Sequence, residues 1–283
     1  MDKHKSGKYA KRSRLPIPLF LLCLLFLGIA IFSGYKVITI MLEYKEGEQV
    51  YADLQQHIQL PAPTLAPPKD TTPTAPGYSR PPSALPEDPD TLTPETKPYS
   101  SPVDFEALWK INPDVVGWIY IPDTCINYPI LQGETNDTYL YHLVTGKYNR
   151  SGSIFMDYRN LPDFSNQNNV IYGHHMGDGT MFADIVKFKR QSYFDAHPTG
   201  YLFTPERTYT LTFFAAYVTD MSDDAWRREF AMEEDYADWL RDSAARSEVS
   251  CGILPVLTDQ ILTLSTCTYE YDDARFILAA IMD

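Results

Sequence analysis

The spacing of hydrophobic positions changes along the chain, and each change marks an element. Residues 15–35 contain no charged residue, and these 21 positions make roughly 32 Å of α-helix, enough to cross the hydrocarbon core of a bilayer. Lys36 interrupts the run and residues 37–42 resume it, so the expected membrane anchor covers 15–42. A cleaved signal peptide carries a shorter apolar stretch, about 7 to 15 residues, ending at a small-x-small site. The length here predicts a helix that stays in the membrane. Residues 43–60 are polar with scattered apolar positions and predict a short juxtamembrane helix. In residues 61–102 all periodicity is lost: 13 of the 22 prolines fall there, among Thr, Ser and Ala. Such a composition builds no packed core. It predicts a disordered linker reaching on the order of 130 Å at about 3.1 Å per residue, a stalk that carries the next domain away from the membrane.

Residues 103–283 are long enough for one domain with its own core. Segments 115–122, 125–130, 153–156, 169–173, 201–204, 207–218, 260–266 and 275–282 are β-branched or aromatic and bounded by Gly, Pro, Asn or Asp, which predicts strands. Apolar spacings of three and four predict helices over 104–111, 135–143, 180–188 and 233–245. Eight short strands with few long helices predict a mainly β fold, a closed barrel or a sandwich.

Charge orients this layout. Residues 1–14 hold six basic side chains and one acid, about +5, so the rest of the chain carries about −18 of the total −13. Basic flanks of a membrane span stay in the cytoplasm, so the tail 1–14 is expected inside and the domain outside, in a single-pass topology. The acidic outer portion shows no basic stripe that would hold phosphates, which argues against nucleic acid as a partner. Cys23 lies in the membrane run, leaving Cys125, Cys251 and Cys267 outside. Three thiols in an oxidising compartment leave at least one unpaired within the chain. Cys125 and Cys251 read as buried structural residues.

Cys267 reads differently. It ends the strand LeuThrLeuSerThrCys (262–267) and precedes a polar turn, a place that holds a side chain rigidly and leaves it reachable. A thiol becomes a nucleophile only as the thiolate, which needs a cation or a base nearby. Arg275 opens the last strand eight residues later, and if the two strands pair, its guanidinium shares a face with the sulfur and can steady an oxyanion. AsnAsnValIleTyrGlyHisHisMet (168–176) places His174 and His175 just past another strand, where an imidazole can give and take protons. Each signal alone is also compatible with a surface or packing role.

Together these segments resemble the sortases, whose signature is TLxTC with an upstream His and a downstream Arg, over residues 103–283. SerIlePheMetAspTyrArgAsn (153–160), the YGHHM segment and the helical insertion around 233–246 are similar to the class B branch. The resemblance implies an eight-stranded sortase-like β-barrel with peripheral helices and a membrane-anchored cysteine transpeptidase. It implies Cys267 as acyl-thioester nucleophile, His174 as acid and base, with His175 the weaker choice, and Arg275 as the oxyanion-holding or substrate-orienting cation. Ser265, Tyr172, Asn136 and Leu140 fall where class B members line the peptide groove. The implied partners are secreted proteins with a C-terminal sorting motif and an amine acceptor, either peptidoglycan or a pilin lysine. No metal or other cofactor is implied. A thiol peptidase and a non-catalytic anchored binding module are the competing readings.

Overall fold

The last two strands show how the core is divided. In the strand Arg275–Met282, Phe276, Leu278, Ala280 and Met282 face one buried cluster, while Ile277, Ala279 and Ile281 face a second. Side chains alternate between the two faces of a strand, so a run apolar at every position is covered on both sides. The first cluster fills the interior of a barrel. The second lies outside it, beneath the helix Glu233–Ala245, which buries Tyr236, Trp239, Leu240 and Ser243 on one face.

The computed structural model describes residues 17–60, 99–268, 270–271 and 273–283. The basic tail expected at 1–14, and all but the last four residues of the Pro-rich stretch expected at 61–102, lie outside the described residues. Eight strands are present among them: β1 (Val115–Tyr120), β2 (Asn127–Leu131), β3 (Ile154–Met156), β4 (Asn168–Tyr172), β5 (Thr199–Phe203), β6 (Thr208–Thr219), β7 (Gln260–Cys267) and β8 (Arg275–Met282). Each falls where the sequence predicted one. They close in the order β1-β2-β3-β4-β7-β8-β6-β5. All neighbours are antiparallel except β2–β3 and β4–β7. A parallel pair needs a long crossover between its strands, and the crossover from β2 to β3, residues 132–153, becomes one wall of the cleft that holds Cys267.

The helices are α1 (Ile17–Leu54), α2 (Phe105–Ile111), α3 (Gln191–Ala196) and α4 (Glu233–Ala245). α2 and α4 match their predicted spans, and the Asp104 carboxylate caps α2 by accepting from the Ala107 amide at 2.9 Å. The helix expected at 135–143 is a series of turns. Its carbonyls are taken by distant donors rather than by the next turn: Tyr139 accepts from the Ser153 amide (3.0 Å) and Tyr141 from the Asn149 amide (2.9 Å). The helix expected at 180–188 is a tighter 3-10 helix, Ala183–Lys189, entered through Met181 at φ +57°. α3 was not expected; six residues are too few to show a helical period.

α1 runs unbroken from the apolar stretch into residues 43–54 and is long and apolar enough to cross a membrane. The side chains of residues 21–38 are exposed, but Tyr51 and Leu54, with Ile58 just beyond the helix, belong to the domain core.

Candidate active site

Three neighbouring strands deliver the chemistry to one end of the barrel. β7 ends at Cys267, and β8, running the other way, begins at Arg275, which pairs directly with Cys267 across the ladder. Residues directly opposite in an antiparallel pair project to the same face with their Cβ atoms about 4.5–5.5 Å apart. The two-residue period that sends Leu262, Leu264, Phe276 and Leu278 inward puts Ser265, Cys267 and Arg275 on the outer face. β4 lies on the other side of β7 and runs parallel to it, with Tyr172 opposite Ser265. The chain therefore leaves β4 level with the end of β7, and the next two residues are Gly173 and His174.

Gly173 makes that exit possible. A Cβ there would lie 2.5 Å from Ile154 Cδ1 and 2.7 Å from the Phe182 ring. Without one, its backbone sits against β7: its amide donates to Ser265 O (3.2 Å) and its carbonyl accepts from Thr266 Oγ1 (2.6 Å). His174 then stands with Nε2 2.7 Å from the Leu140 carbonyl and its ring 5.4 Å from that of Tyr141. A carbonyl only accepts, so Nε2 carries the proton and Nδ1 is the nitrogen that takes one. Burial pushes the His174 pKa down, opposed by the bond to Leu140, and keeps the ring neutral at pH 7.

Cys267, His174 and Arg275 line one open cleft of about 490 Å³, and so do Ser265, Tyr172, Asn136 and Leu140. His175 is not among the cleft-lining residues; its Nδ1 is 3.2 Å from the Cys267 carbonyl. Arg275 is oriented by a bond from Nη1 to the Ala274 carbonyl (3.0 Å) and by contact of Nη2 with Met221 Sδ (3.3 Å). The Ser265 hydroxyl accepts from Trp226 Nε1 at 3.2 Å, so Trp226 closes over the sheet beside the cysteine.

The other three thiols differ from Cys267. Cys125 donates toward the Met181 carbonyl and burial pushes its pKa up to about 12, which leaves it protonated. Cys251 sits 3.1 Å from both the Phe214 and Ile253 carbonyls. Cys23 is exposed on the apolar part of α1, and none of the four is in a disulfide.

Residue-by-residue reading of the sequence missed the group that organises the far side of the cleft. Asp157, one residue past β3, has no exposed surface. It accepts from Arg159 Nε and Nη2 (2.8 Å each), Tyr172 OH (3.0 Å) and Asn136 Nδ2 (3.2 Å), and all three partners line the cleft. Burial alone would raise this carboxyl, but the bonds from Arg159, Asn136 and Tyr172 outweigh it and hold the pKa at about 2. The one local signal is an acid and a base two residues apart immediately after a strand.

A family model described as "Sortase domain" matches residues 119–283. The chain belongs to the sortase family. Sortase B of Staphylococcus aureus is 32% identical over 259 residues, covering 91% of this chain and 93% of that protein. Sortase B of Listeria monocytogenes is 39% identical over 177 residues, 62% of this chain and 72% of that one. Among solved structures, a sortase B from Bacillus anthracis aligns with TM-score 0.67 at 30% identity, covering 86% of this chain and 99% of that chain. The S. aureus sortase B structure aligns with TM-score 0.61 at 38% identity, covering 63% and 86%. The chain is thus a class B sortase by sequence and fold, and the closed eight-stranded barrel is the sortase barrel.

Proposed function

We propose that the chain is a membrane-anchored cysteine transpeptidase that cuts a C-terminal sorting motif in secreted proteins and joins the new end to an amine. The pairing of Cys267 with Arg275, with His174 leaving the parallel neighbour strand at the same level, is the observation that carries this reading. Neutral His174 takes the thiol proton, and the Cys267 thiolate attacks the carbonyl of the motif's threonine. The carbonyl oxygen becomes negative as the C–S bond forms, and the fixed Arg275 guanidinium stabilises that charge. The C–N bond then breaks, the imidazolium proton goes to the departing amine, and an acyl thioester remains on Cys267. An incoming amine, losing its proton to His174, attacks the thioester and restores the thiol. Atoms balance without a further reactant: one amide is broken and one is made.

Peptidoglycan or a pilin lysine supplies the acceptor amine in this reading. Support comes from relatives: sortase B of S. aureus has been solved as a substrate complex, and a sortase B has been solved in complex with triglycine. The apolar part of α1 anchors the enzyme, with its basic N-terminal tail in the cytoplasm and the barrel outside.

The test is a panel of fluorescent sorting-motif peptides given to the detergent-solubilised chain, with and without a glycine-peptide amine, with products identified by mass spectrometry. Cleavage after threonine and an amine-joined product support the reading. Cleavage whose only product is the free acid, whatever the amine concentration, makes the chain a thiol peptidase. No cleavage, with a thiol that resists alkylation in the folded chain, leaves a binding module.

A further inference from the structure

The Pro-rich stretch reads in sequence as a stalk, yet the residues on either side of it meet. Ile58 and Val103 form an antiparallel bridge, with the Gln59 amide donating to Pro102 O and the Asp104 amide to His57 O, both at 2.8 Å. A segment whose two ends are joined adds no distance between the anchor helix and the barrel, whatever its length. The element that does connect the apolar run to the domain is α1. The Tyr51 hydroxyl donates to Gly152 O (2.7 Å) and its ring meets Tyr128 edge-on at 5.3 Å. Nearer the apolar run, Asn149 Nδ2 donates to the Glu43 carbonyl (2.7 Å), and Lys147 and Arg150 pair with Glu46 and Glu43. Gly47 lets the helix come this close: a Cβ there would stand 3.3 Å from Ser151 Oγ.

We propose that the docked part of α1, and not the Pro-rich stretch, sets the height of the catalytic cleft, and that it seats the 141–150 loop against the lipid headgroups. Glu43 lies eight residues beyond the charge-free run and one beyond the second apolar patch, which is about 2 to 12 Å of helix axis above the hydrocarbon. The headgroup layer on each side is roughly 5 to 8 Å deep. Asn149, bonded to Glu43, is therefore at or just above the headgroups. Tyr148 beside it is 57% exposed, an aromatic side chain of the kind that favours this interface. From there to the site is one step: the Asn149 amide bonds the Tyr141 carbonyl, and the Tyr141 ring packs on both Tyr148 and His174. A stalk would hold the cleft as much as ~130 Å from the lipid; the docked helix holds it beside the lipid, where a membrane-borne partner can reach it.

This inference rests on reading α1 as a membrane span, and the test separates the two. The full chain, with Cys23, Cys125 and Cys251 replaced by Ala, is labelled with a donor fluorophore at Cys267 and reconstituted into phosphatidylcholine–phosphatidylglycerol nanodiscs carrying headgroup-linked acceptor. Strong energy transfer is expected. It is expected to stay the same when residues 61–98 are replaced by a short Gly/Ser bridge. It should fall at least about twofold when forty Gly/Ser residues, with a root-mean-square span of about 35 Å, are inserted between Leu42 and Glu43. Weak transfer in the intact chain, or transfer that rises when 61–98 is removed, overturns the inference while leaving the anchor in place. A chain that does not co-elute with the discs overturns the anchor and the inference together.

Discussion

The cleft has two walls held by different means. On one side Tyr172, Ser265, Cys267 and Arg275 stand on β4, β7 and β8, where backbone ladders fix each position in turn. On the other side Asn136 and Leu140 stand on the β2–β3 crossover, which has no regular structure and is kept in place by bonds to His174 and Asp157 beyond it and by bonds within its own length. The Leu140 carbonyl meets His174, Tyr139 and Tyr141 meet residues 153 and 149, and Asn136 meets the buried Asp157 carboxylate. A ladder tolerates the loss of a side chain at its end, because the backbone bonds remain. A wall built on single bonds outside any ladder does not. Substitutions in the sheet wall should therefore change chemistry and spare the fold, and substitutions behind the crossover wall should change both.

The largest effect is expected at the end of β7. Cys267→Ala should reduce turnover of a sorting-motif peptide by about a thousandfold or more, with an unchanged far-ultraviolet circular dichroism spectrum. If turnover survives, the sheet wall is not the reacting one. His174→Gln and Arg275→Gln should each lower kcat by roughly 10²- to 10⁴-fold. Arg275→Lys should recover only part of that loss, since an ammonium lacks the planar fork of a guanidinium.

Near the end of the crossover, Gly152 sits at φ +57°, and a Cβ there would come within 2.2 Å of the Leu140 carbonyl oxygen that holds His174. Gly152→Ala should cost about 2 to 4 kcal/mol in a denaturant melt and lower kcat as well. A loss of stability with kcat intact would uncouple the crossover from the histidine.

Asp157 gives the comparison a pH signature. Its pKa is about 2 in the fold against 3.8 for a free side chain. The stability it contributes is present above pH 3.8 and is lost as the pH falls from there through about 2. Asp157→Asn should lower the melting temperature at pH 7 and flatten the acid limb between about pH 4 and 2. A variant with the same acid limb would mean that Asp157 is not the group whose protonation loosens this wall. The smallest effect is expected at Lys147, whose exposed ion pair with Glu46 should be worth less than about 1 kcal/mol in a thermal melt of Lys147→Ala.

The sheet wall was legible in the sequence for a physical reason. Strand periodicity is local, so eight runs of β-branched and aromatic residues could be placed one by one, and the unpaired thiol at the end of β7 stood out against its polar turn. The pairing of Cys267 with Arg275 needed only the assumption that strands flanking a short turn are neighbours. The adjacency of β4 and β7 could not be read that way, because residues 173–259 lie between them and include two further strands and α4. Only the closure of the barrel brings them together.

The crossover wall was misread because its sequence carries a helical spacing of apolar residues over 135–143, while its carbonyls accept from amides further along the same crossover. Spacing shows which side chains could share a helix face; it does not show that the Ser153 and Asn149 amides compete for the same backbone oxygens. Asp157 was hidden for a related reason. An acid after a strand looks like a surface turn residue until its three partners, from positions 136, 159 and 172, are seen around it. The docking of residues 43–58 on the barrel was likewise invisible in a mostly polar segment in which only Tyr51, Leu54 and Ile58 join the buried cluster, with Tyr44 and Val50 packed beside them.

The proposed transpeptidation turns on Cys267 being the residue that carries the acyl group. Intact-protein mass spectrometry after brief exposure to a sorting-motif peptide, without an amine acceptor and with acid quenching, tests this most directly. The expected result is a mass increase equal to the acyl fragment ending in threonine, mapped to the peptide containing Cys267, removed by hydroxylamine and absent from Cys267→Ala. An adduct mapped to Cys125 or Cys251, or one that persists in Cys267→Ala, would contradict it.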